Sequence, residues 1–382
     1  MLPCPYFGKC GGCSFQHIPY DAQLKNKKKL LANELKDLSS EVRVEIFSGR
    51  PYHYRNRMDF VFSSEGPGLR MRGRYDKIVS IRRCEISNDK LNKLLNEVWK
   101  WFDLNKDEIE PFDVKKGIGT LRYSLIRAPE FSNTSAVSFV LNSDSKNQEK
   151  HIKLIREFAK TTSATSVVIA KVHSKTDVSV SDSFFPVKGE AVINEILSGK
   201  NFIFHTQGFF QNNSSMTESM VLYITKQVTK YQPADSSLID LYGGVGTFGV
   251  SVASMFRDCL IIESSKISVE CAKMNIMNNN LTNTDVVCID ASKIKDIELE
   301  KRITGEELFV IADPPRSGIH PKTLKYLAKL KPVVIFYVSC NPKQMKRDIS
   351  VLNEEYKISS LAMFDMFPQT RHIEAIATLE LR

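Results

Sequence analysis

The hydrophobic pattern changes rhythm near residue 205. From residue 215 onward short apolar runs alternate with amphipathic stretches. They predict strands at 237–241, 259–263, 285–289, 307–312, 332–339, 358–364 and 375–379, and helices at 215–230, 265–278, 321–329 and 343–353. Regular strand–helix alternation of this length predicts a doubly wound, parallel α/β sheet. Before residue 205 the pattern is strand-rich and irregular, with strands expected at 42–46, 58–62, 136–141 and 166–170 and helices at 90–102 and 147–160. Residues 20–38 predict an amphipathic helix, with Leu24, Leu31, Leu35 and Leu38 on one stripe and Lys25, Lys27, Lys28 and Lys29 on a solvated face. Residues 1–16 are rich in Cys, Gly and Pro and follow no period. The expected organisation is an α+β unit over 1–205 and an α/β unit over 206–382, with the 20–38 helix a candidate to pack on the second.

Charge sharpens that division. The chain has 53 basic and 44 acidic residues. Residues 206–382 hold 20 of each sign, which leaves 33 basic against 24 acidic residues in 1–205. The whole net charge of +9 therefore lies in the first unit, a candidate polyanion-binding surface. No apolar run has the length of a membrane span, and the N-terminus lacks a basic n-region and an apolar h-region. A cytoplasmic location and no membrane partner are expected. Of the eight cysteines, Cys259, Cys271 and Cys288 read as core residues, and disulfides are not expected without a secretory leader.

The candidate chemistry gathers at the strand ends of the second unit. The 237–241 run, containing Asp240, feeds Tyr242-Gly243-Gly244-Val245-Gly246-Thr247 and then a helix. Glycines there let the backbone approach a ligand closely, and a helix N-terminus favours anionic or polar groups. Glu263 ends the next strand, where an acid can bond ribose hydroxyls, and Asp290 ends the third, within reach of an adenine amino group. Gly244, Gly246 and Gly249 also satisfy G-x-G-x-x-G, so the loop alone admits either a dinucleotide or S-adenosylmethionine. The fourth strand ends in Asp313-Pro314-Pro315-Arg316-Ser317-Gly318, a stiff loop beside the cofactor mouth. The fifth ends at Cys340, stopped by Asn341-Pro342, and Glu374 stands just before the last strand. Packing alone would make Cys340 a core thiol. Its position on the rim shared by the loop and the acidic segment argues otherwise.

Taken together, Asp313-Pro314-Pro315-Arg316-x-Gly318, Ser339-Cys340-Asn341-Pro342 and His372-x-Glu374 resemble the RNA uracil-5-methyltransferases. Phe209-Phe210-Gln211-Asn212-Asn213 is similar to that family's entry into its cofactor domain. Cys4, Cys10 and Cys13, with Cys84 far downstream, are similar to its [4Fe–4S] ligands. The resemblance implies a Rossmann-like class I methyltransferase domain and S-adenosylmethionine as cofactor. It implies Gln211, Asp240, Tyr242, Gly244, Gly246, Glu263, Asp290 and Asp313 on the cofactor side, and Phe209, Asp313 and Arg316 against the substrate. It also implies a structured RNA partner, for a chain acting as a monomer. Uracil C5 is a weak nucleophile, and addition of a thiolate at C6 makes it an enolate carbon. Cys340 is therefore expected as the nucleophile and Glu374 as the base that removes the C5 proton.

Two departures stand out. The family usually carries Cys or another small residue where Gly243 stands, a change expected to fit. The chain begins at the cysteine cluster, with no room for the oligonucleotide-binding barrel (TRAM domain) of many relatives. That shorter form is similar to the branch acting on a hairpin of 23S ribosomal RNA, so ribosomal RNA is the expected substrate and transfer RNA the alternative. Four thiols would also satisfy structural zinc. A cluster-bearing dinucleotide oxidoreductase would leave Cys340 and Glu374 without roles, and a non-catalytic RNA-binding protein would not need every catalytic position filled.

Overall fold

The computed structural model describes residues 4–38 and 43–382. Ser237–Leu241, buried along its whole length, is an interior strand of an eight-stranded sheet. Asp258–Glu263 and then Thr284–Cys288 lie on one side of it. On the other side follow Leu308–Ala312, Val334–Ser339, Glu374–Leu381, Tyr356–Phe364 and Val44–Phe47. The chain order reverses at Ser237–Leu241, and such switch points open a crevice at the carboxyl ends of the strands. One face is covered by Ser214–Thr229, Thr247–Val252 and Lys266–Asn278, the other by Tyr20–Leu35, Pro321–Leu330 and Pro342–Leu352. This is the doubly wound α/β architecture that the strand–helix alternation predicts.

The sheet departs from pure parallel pairing in one place. Glu374–Leu381 runs antiparallel to both Val334–Ser339 and Tyr356–Phe364. Ser339 pairs with Ala375, so the first residue of this strand arrives where the parallel strands end. Glu374 thereby reaches the rim that Cys340 occupies.

Val44–Phe47 pairs in parallel with Tyr356–Phe364, so this early strand sits in the C-terminal sheet and not with its sequence neighbours. Residue 42 of the expected 42–46 strand lies outside the described residues. The first helix also differs from its pattern. Its buried line is Gln23, Lys27, Leu31 and Leu35, spaced four apart, while the expected solvated face would have included Lys27. Lys27 Nζ lies 2.6 Å from Asp365 Oδ1 and 3.2 Å from the Phe367 carbonyl, with both side chains of the ion pair essentially inaccessible. A long-range partner inverted the polarity reading, and no local pattern carries that information.

The second sheet, in order Arg74–Ser80, Gly66–Met71, Arg57–Ser63, Leu121–Arg127, Ala136–Asn142, Ser166–Val172 and Phe184–Lys188, is antiparallel except for one pair. That pair, Ala136–Asn142 with Ser166–Val172, is joined through the Gln148–Thr161 helix. Asp89–Leu104 and Gln148–Thr161 bury an aromatic core of Phe62, Trp99, Trp101, Phe102, Phe139 and Phe158 against one face. The hairpin Val192–Leu197/Lys200–His205 then leads the chain onto the first sheet, where buried Asn275 bonds the Ile203 backbone at 2.6 and 3.0 Å and the Val245 carbonyl at 2.9 Å. Among the described residues no helix is long and apolar enough to cross a membrane.

Removing one member of a buried ion pair leaves an uncompensated charge. Lys27→Met is therefore expected to cost about 3–5 kcal/mol in urea unfolding, and Lys27→Met with Asp365→Leu should recover most of that loss. A single variant as stable as the parent would show that the pair does not hold the fold.

Candidate active site

A cavity of about 800 Å³ opens at the carboxyl ends of the first sheet's strands. Cys340, Glu374, Asp313 and Arg316 line it together with Gln211, Tyr242, Gly244, Glu263, Asp290 and Phe209. Two expected site residues, Asp240 and Gly246, do not line it and instead support the loop from below. Asp240 is fully buried and its Oδ2 accepts from the Gly249 amide at 2.8 Å. Burial pushes its carboxyl up to about 7. Gly246 is the left-handed residue, φ +86°, from which the Thr247–Val252 helix starts. At Gly243 the expectation of tolerance fails: a Cβ there would stand 2.7 Å from Ile261 Cγ2 and 2.9 Å from Asp240 Oδ2. In this chain the turn is closed against its own strand and needs glycine.

Glu263 and Asp290, the acids expected on the cofactor side, are held by backbone donors. Glu263 Oε2 accepts from Gly244 at 3.0 Å, and its Oε1 accepts from Ser264 and Ser265 at 2.8 and 2.7 Å. Asp290 caps a short 3-10 turn by accepting from Ser292 at 2.8 Å, which lowers its pKa. Tyr242 holds a left-handed backbone, φ +60°, and its hydroxyl accepts from the His320 amide at 3.2 Å. Gln211 Nε2 reaches Asp313 Oδ2 at 3.4 Å, so the loop after the hairpin meets the acidic segment directly. Phe209, 60% exposed, stands at the mouth.

Cys340 sits between Val334–Ser339 and the Pro342–Leu352 helix, half-buried. Burial raises its thiol pKa above 9.0, the Glu374 and Asp313 carboxylates raise it further, and the Arg316 guanidinium opposes them. Burial also pushes Asp313 up to about 7 and Glu374 well above the usual carboxylate range. Glu374 is raised further by Asp313 and lowered by Arg316. Among the described residues, these three acidic groups share a low-dielectric pocket lined by one guanidinium, and burial there favours their protonated forms.

Sequence reasoning gave no role to the residues that fix this loop. Asn341 Nδ2 donates to the Arg316 carbonyl at 3.1 Å. Arg347 Nη2 donates to the Ser317 carbonyl at 3.0 Å, and fully buried Asp348 accepts from the Ile319 amide at 2.7 Å and the Tyr337 hydroxyl at 2.6 Å. Gly318, φ +82°, leaves room for that carboxylate. The only signal available in sequence was a polar residue facing inward on an otherwise apolar helix face. The 180–182 segment also lines the cavity, brought there from the first unit.

Cys4, Cys10, Cys13 and Cys84 line a separate cavity of about 770 Å³, and no disulfide joins them. Burial pushes Cys10 up to about 11 and Cys13 to about 12, and the charge of Cys84 raises both further. The donor chemistry suits a thiophilic metal, but among the described residues no three His, Cys, Asp or Glu side chains are gathered closely enough to hold one. Arg55, Arg57, Arg70, Arg72 and Arg83 line the same cavity, which adjoins the first at Asn212 and Val180.

The family model for tRNA (uracil-5-)-methyltransferase matches residues 19–382. The chain belongs to that family. It is 35% identical to the tRNA (uracil(54)-C(5))-methyltransferase of Pyrococcus horikoshii, over 98% of this chain and 85% of the relative. It is 31% identical to an uncharacterized RNA methyltransferase of Thermotoga maritima, over 99% of this chain and 84% of the relative. The solved Pyrococcus abyssi tRNA (uracil-54, C5)-methyltransferase, in complex with S-adenosyl-L-homocysteine, superposes with a TM-score of 0.78 at 28% identity, covering 97% of this chain and 86% of that one. As a member of the family, the chain is an S-adenosylmethionine-dependent RNA uracil-5-methyltransferase.

For a family whose reaction acts on a weakly nucleophilic carbon, the raised thiol has a measurable signature. Iodoacetamide labelling of Cys340, read on its own peptide by mass spectrometry, is expected to reach its midpoint above pH 9.0. Arg316→Ala should move the midpoint up and Glu374→Gln should move it down. A midpoint below 8 in the free enzyme would contradict this electrostatic account.

Proposed function

We propose that Cys340 adds to C6 of a uridine and that Glu374 removes the C5 proton. The reading is supported above all by one observation: thiol, buried carboxyl and Asp313 line the same cavity as the nucleoside-side acids Glu263 and Asp290. In the addition, a bond forms between Cys340 Sγ and C6, and the C5–C6 π electrons move into an enolate through the C4 carbonyl. When bound, S-adenosylmethionine would supply an electrophilic methyl group to C5, its sulfonium sulfur leaving as the thioether. Glu374 then accepts the C5 proton, the double bond re-forms, and the C6–S bond breaks to return the thiolate. A carboxyl raised by burial is a stronger base than an exposed one, which suits abstraction of a carbon-bound proton. Gln211 and Asp313 are proposed to orient the uracil edge and the cofactor, Phe209 to pack on the base, and Arg316 to balance the negative charge that develops.

The proposed target is a uridine of transfer RNA. The family description and the Pyrococcus relatives named for uracil 54 of tRNA support it. The ribosomal expectation rested on the short form of the chain, and these named relatives outweigh it. The target base must leave its stack to reach a half-buried thiol, which favours a loop nucleotide. The basic first unit and the arginine-lined cavity would hold phosphates, giving strongly salt-dependent binding.

The four cysteines are proposed to hold an iron–sulfur cluster, away from the reacting atoms, once their side chains draw together. Four unpaired thiols lining one cavity support this, and binding would deprotonate thiols that burial now keeps neutral. Protein purified without air is expected to be brown, with a broad visible band bleached by dithionite. Colourless protein with stoichiometric zinc would replace the cluster by a structural metal.

The reading is tested by two variants. Cys340→Ala should abolish methyl transfer while RNA affinity stays within about threefold of the parent. Glu374→Gln should stall after methylation and accumulate RNA covalently bound to enzyme. Sequencing the trapped RNA names the nucleotide: a transfer-RNA loop uridine is expected, and a ribosomal one would reverse the substrate assignment. Retained turnover in Cys340→Ala would remove it from the mechanism.

A further inference from the structure

The segment between the last two strands, 365–373, carries Phe367 on the cavity wall and ends at Glu374. It is fastened by residues distant in sequence, from the edge strand, the first helix and the first sheet's neighbours. The Asp365 amide donates to the Phe47 carbonyl at 2.9 Å, and Asp365 Oδ1 holds Lys27. Asn213 Nδ2 donates to the Met366 carbonyl at 3.0 Å, and the Tyr54 hydroxyl to the Pro368 carbonyl at 2.9 Å.

Gln369 is the tightest point. Its backbone is left-handed, φ +65°, although it is not glycine. Its amide donates to Gln23 Oε1 at 3.1 Å, and its Oε1 accepts from Gln23 Nε2 at 2.9 Å. Its carbonyl accepts from the Ser14 and Phe15 amides, both at 2.9 Å. Gln23 Nε2 also donates to the carbonyls of Phe15 and Ile18, at 3.1 and 2.9 Å. Gln23 is fully buried and Gln369 nearly so. A non-glycine residue keeps such a backbone only where its surroundings over-determine it, and such residues gather at functional sites.

We propose that Gln23 and Gln369 are positioning residues for Glu374: their paired amides hold the 365–373 segment so that the carboxyl meets the C5 proton after methylation. The inference rests on Glu374 being the base. Its point of action is the final elimination, because Cys340 and the cofactor-side residues stand on other strands and loops. Weakening the clasp should therefore leave addition and methylation intact and slow release of the methylated RNA. The clasp also ties the cysteine-bearing N-terminal segment, through Ser14 and Phe15, to the base.

Gln369→Gly separates positioning from stability, since glycine accepts φ +65° without strain while removing the side-chain tether. Gln369→Glu keeps the acceptor for Gln23 Nε2, and Gln23→Leu removes the partner. Single-turnover reactions with labelled RNA would follow formation and decay of the covalent adduct on denaturing gels. Gln369→Gly and Gln23→Leu are expected to form adduct within about twofold of the parent rate and to resolve it at least tenfold more slowly. Gln369→Glu should resolve it within about threefold of the parent, and thermal unfolding of Gln369→Gly should stay near the parent's. Equal slowing of formation and decay, or decay at the parent rate, would overturn the proposal. Glu374→Gln run alongside distinguishes the two readings. If it accumulates no adduct, the assignment of the base fails; if it does and the clasp variants do not, only the clasp fails.

Discussion

The active site depends on one reversal of strand direction. Because Glu374–Leu381 runs against its neighbours, its first residue and the last residues of the parallel strands share an edge. A parallel strand in the same slot would deliver its carboxyl terminus to that edge and bury Glu374 at the far end of the sheet. Backbone pairing, with Ser339 opposite Ala375, thus fixes the separation of thiol and carboxyl to within one residue of register. Hydrogen-bonded strands make a stiffer mount than loops, and the loop that leads into Glu374, residues 365–373, is itself clasped by distant residues.

The pocket built on that edge is electrostatically frustrated. Asp313, Glu374 and Cys340 all have pKa values pushed upward, chiefly by burial, and Arg316 is the one cation acting on both Cys340 and Glu374. The fold meets this cost with a rigid frame: two prolines, the Asn341 and Arg347 bonds to loop carbonyls, and the buried Asp348 behind them. Tyr242 on the cavity wall and Gln369 in the segment leading to Glu374 add left-handed backbone, at about 1–3 kcal/mol each. Strain and unfavourable burial are concentrated around the candidate site, and the neutral sheet core around Ile239, Ile261 and Val310 carries them.

Much of this was legible in the chain because strand ends are marked locally. Asn341-Pro342 after an apolar run places Cys340, and the same logic places Glu263, Asp290 and Asp313. What escaped was set by distant partners. Lys27 reads as solvated until Asp365 is found beside it, and Val44–Phe47 reads as part of the first unit until it pairs with Tyr356–Phe364. Asp240 and Gly246 sit in the right motif, but the motif spends them on shaping the loop from beneath. Gly243 looked interchangeable with a small residue because sequence does not report how closely Ile261 approaches.

The placement of Val44–Phe47 has a consequence for how the molecule comes into being. Its partner residues, 361–364, emerge from the ribosome more than three hundred residues later, and the Lys27–Asp365 bond spans 338 positions. The first helix and strand must therefore wait, unpaired, while more than three hundred further residues are made, and the second sheet can meanwhile close around its own aromatic core. Contacts of such sequence separation are the slow ones to form. This early segment is seated late, and until it docks that edge of the sheet is open to a strand from another chain.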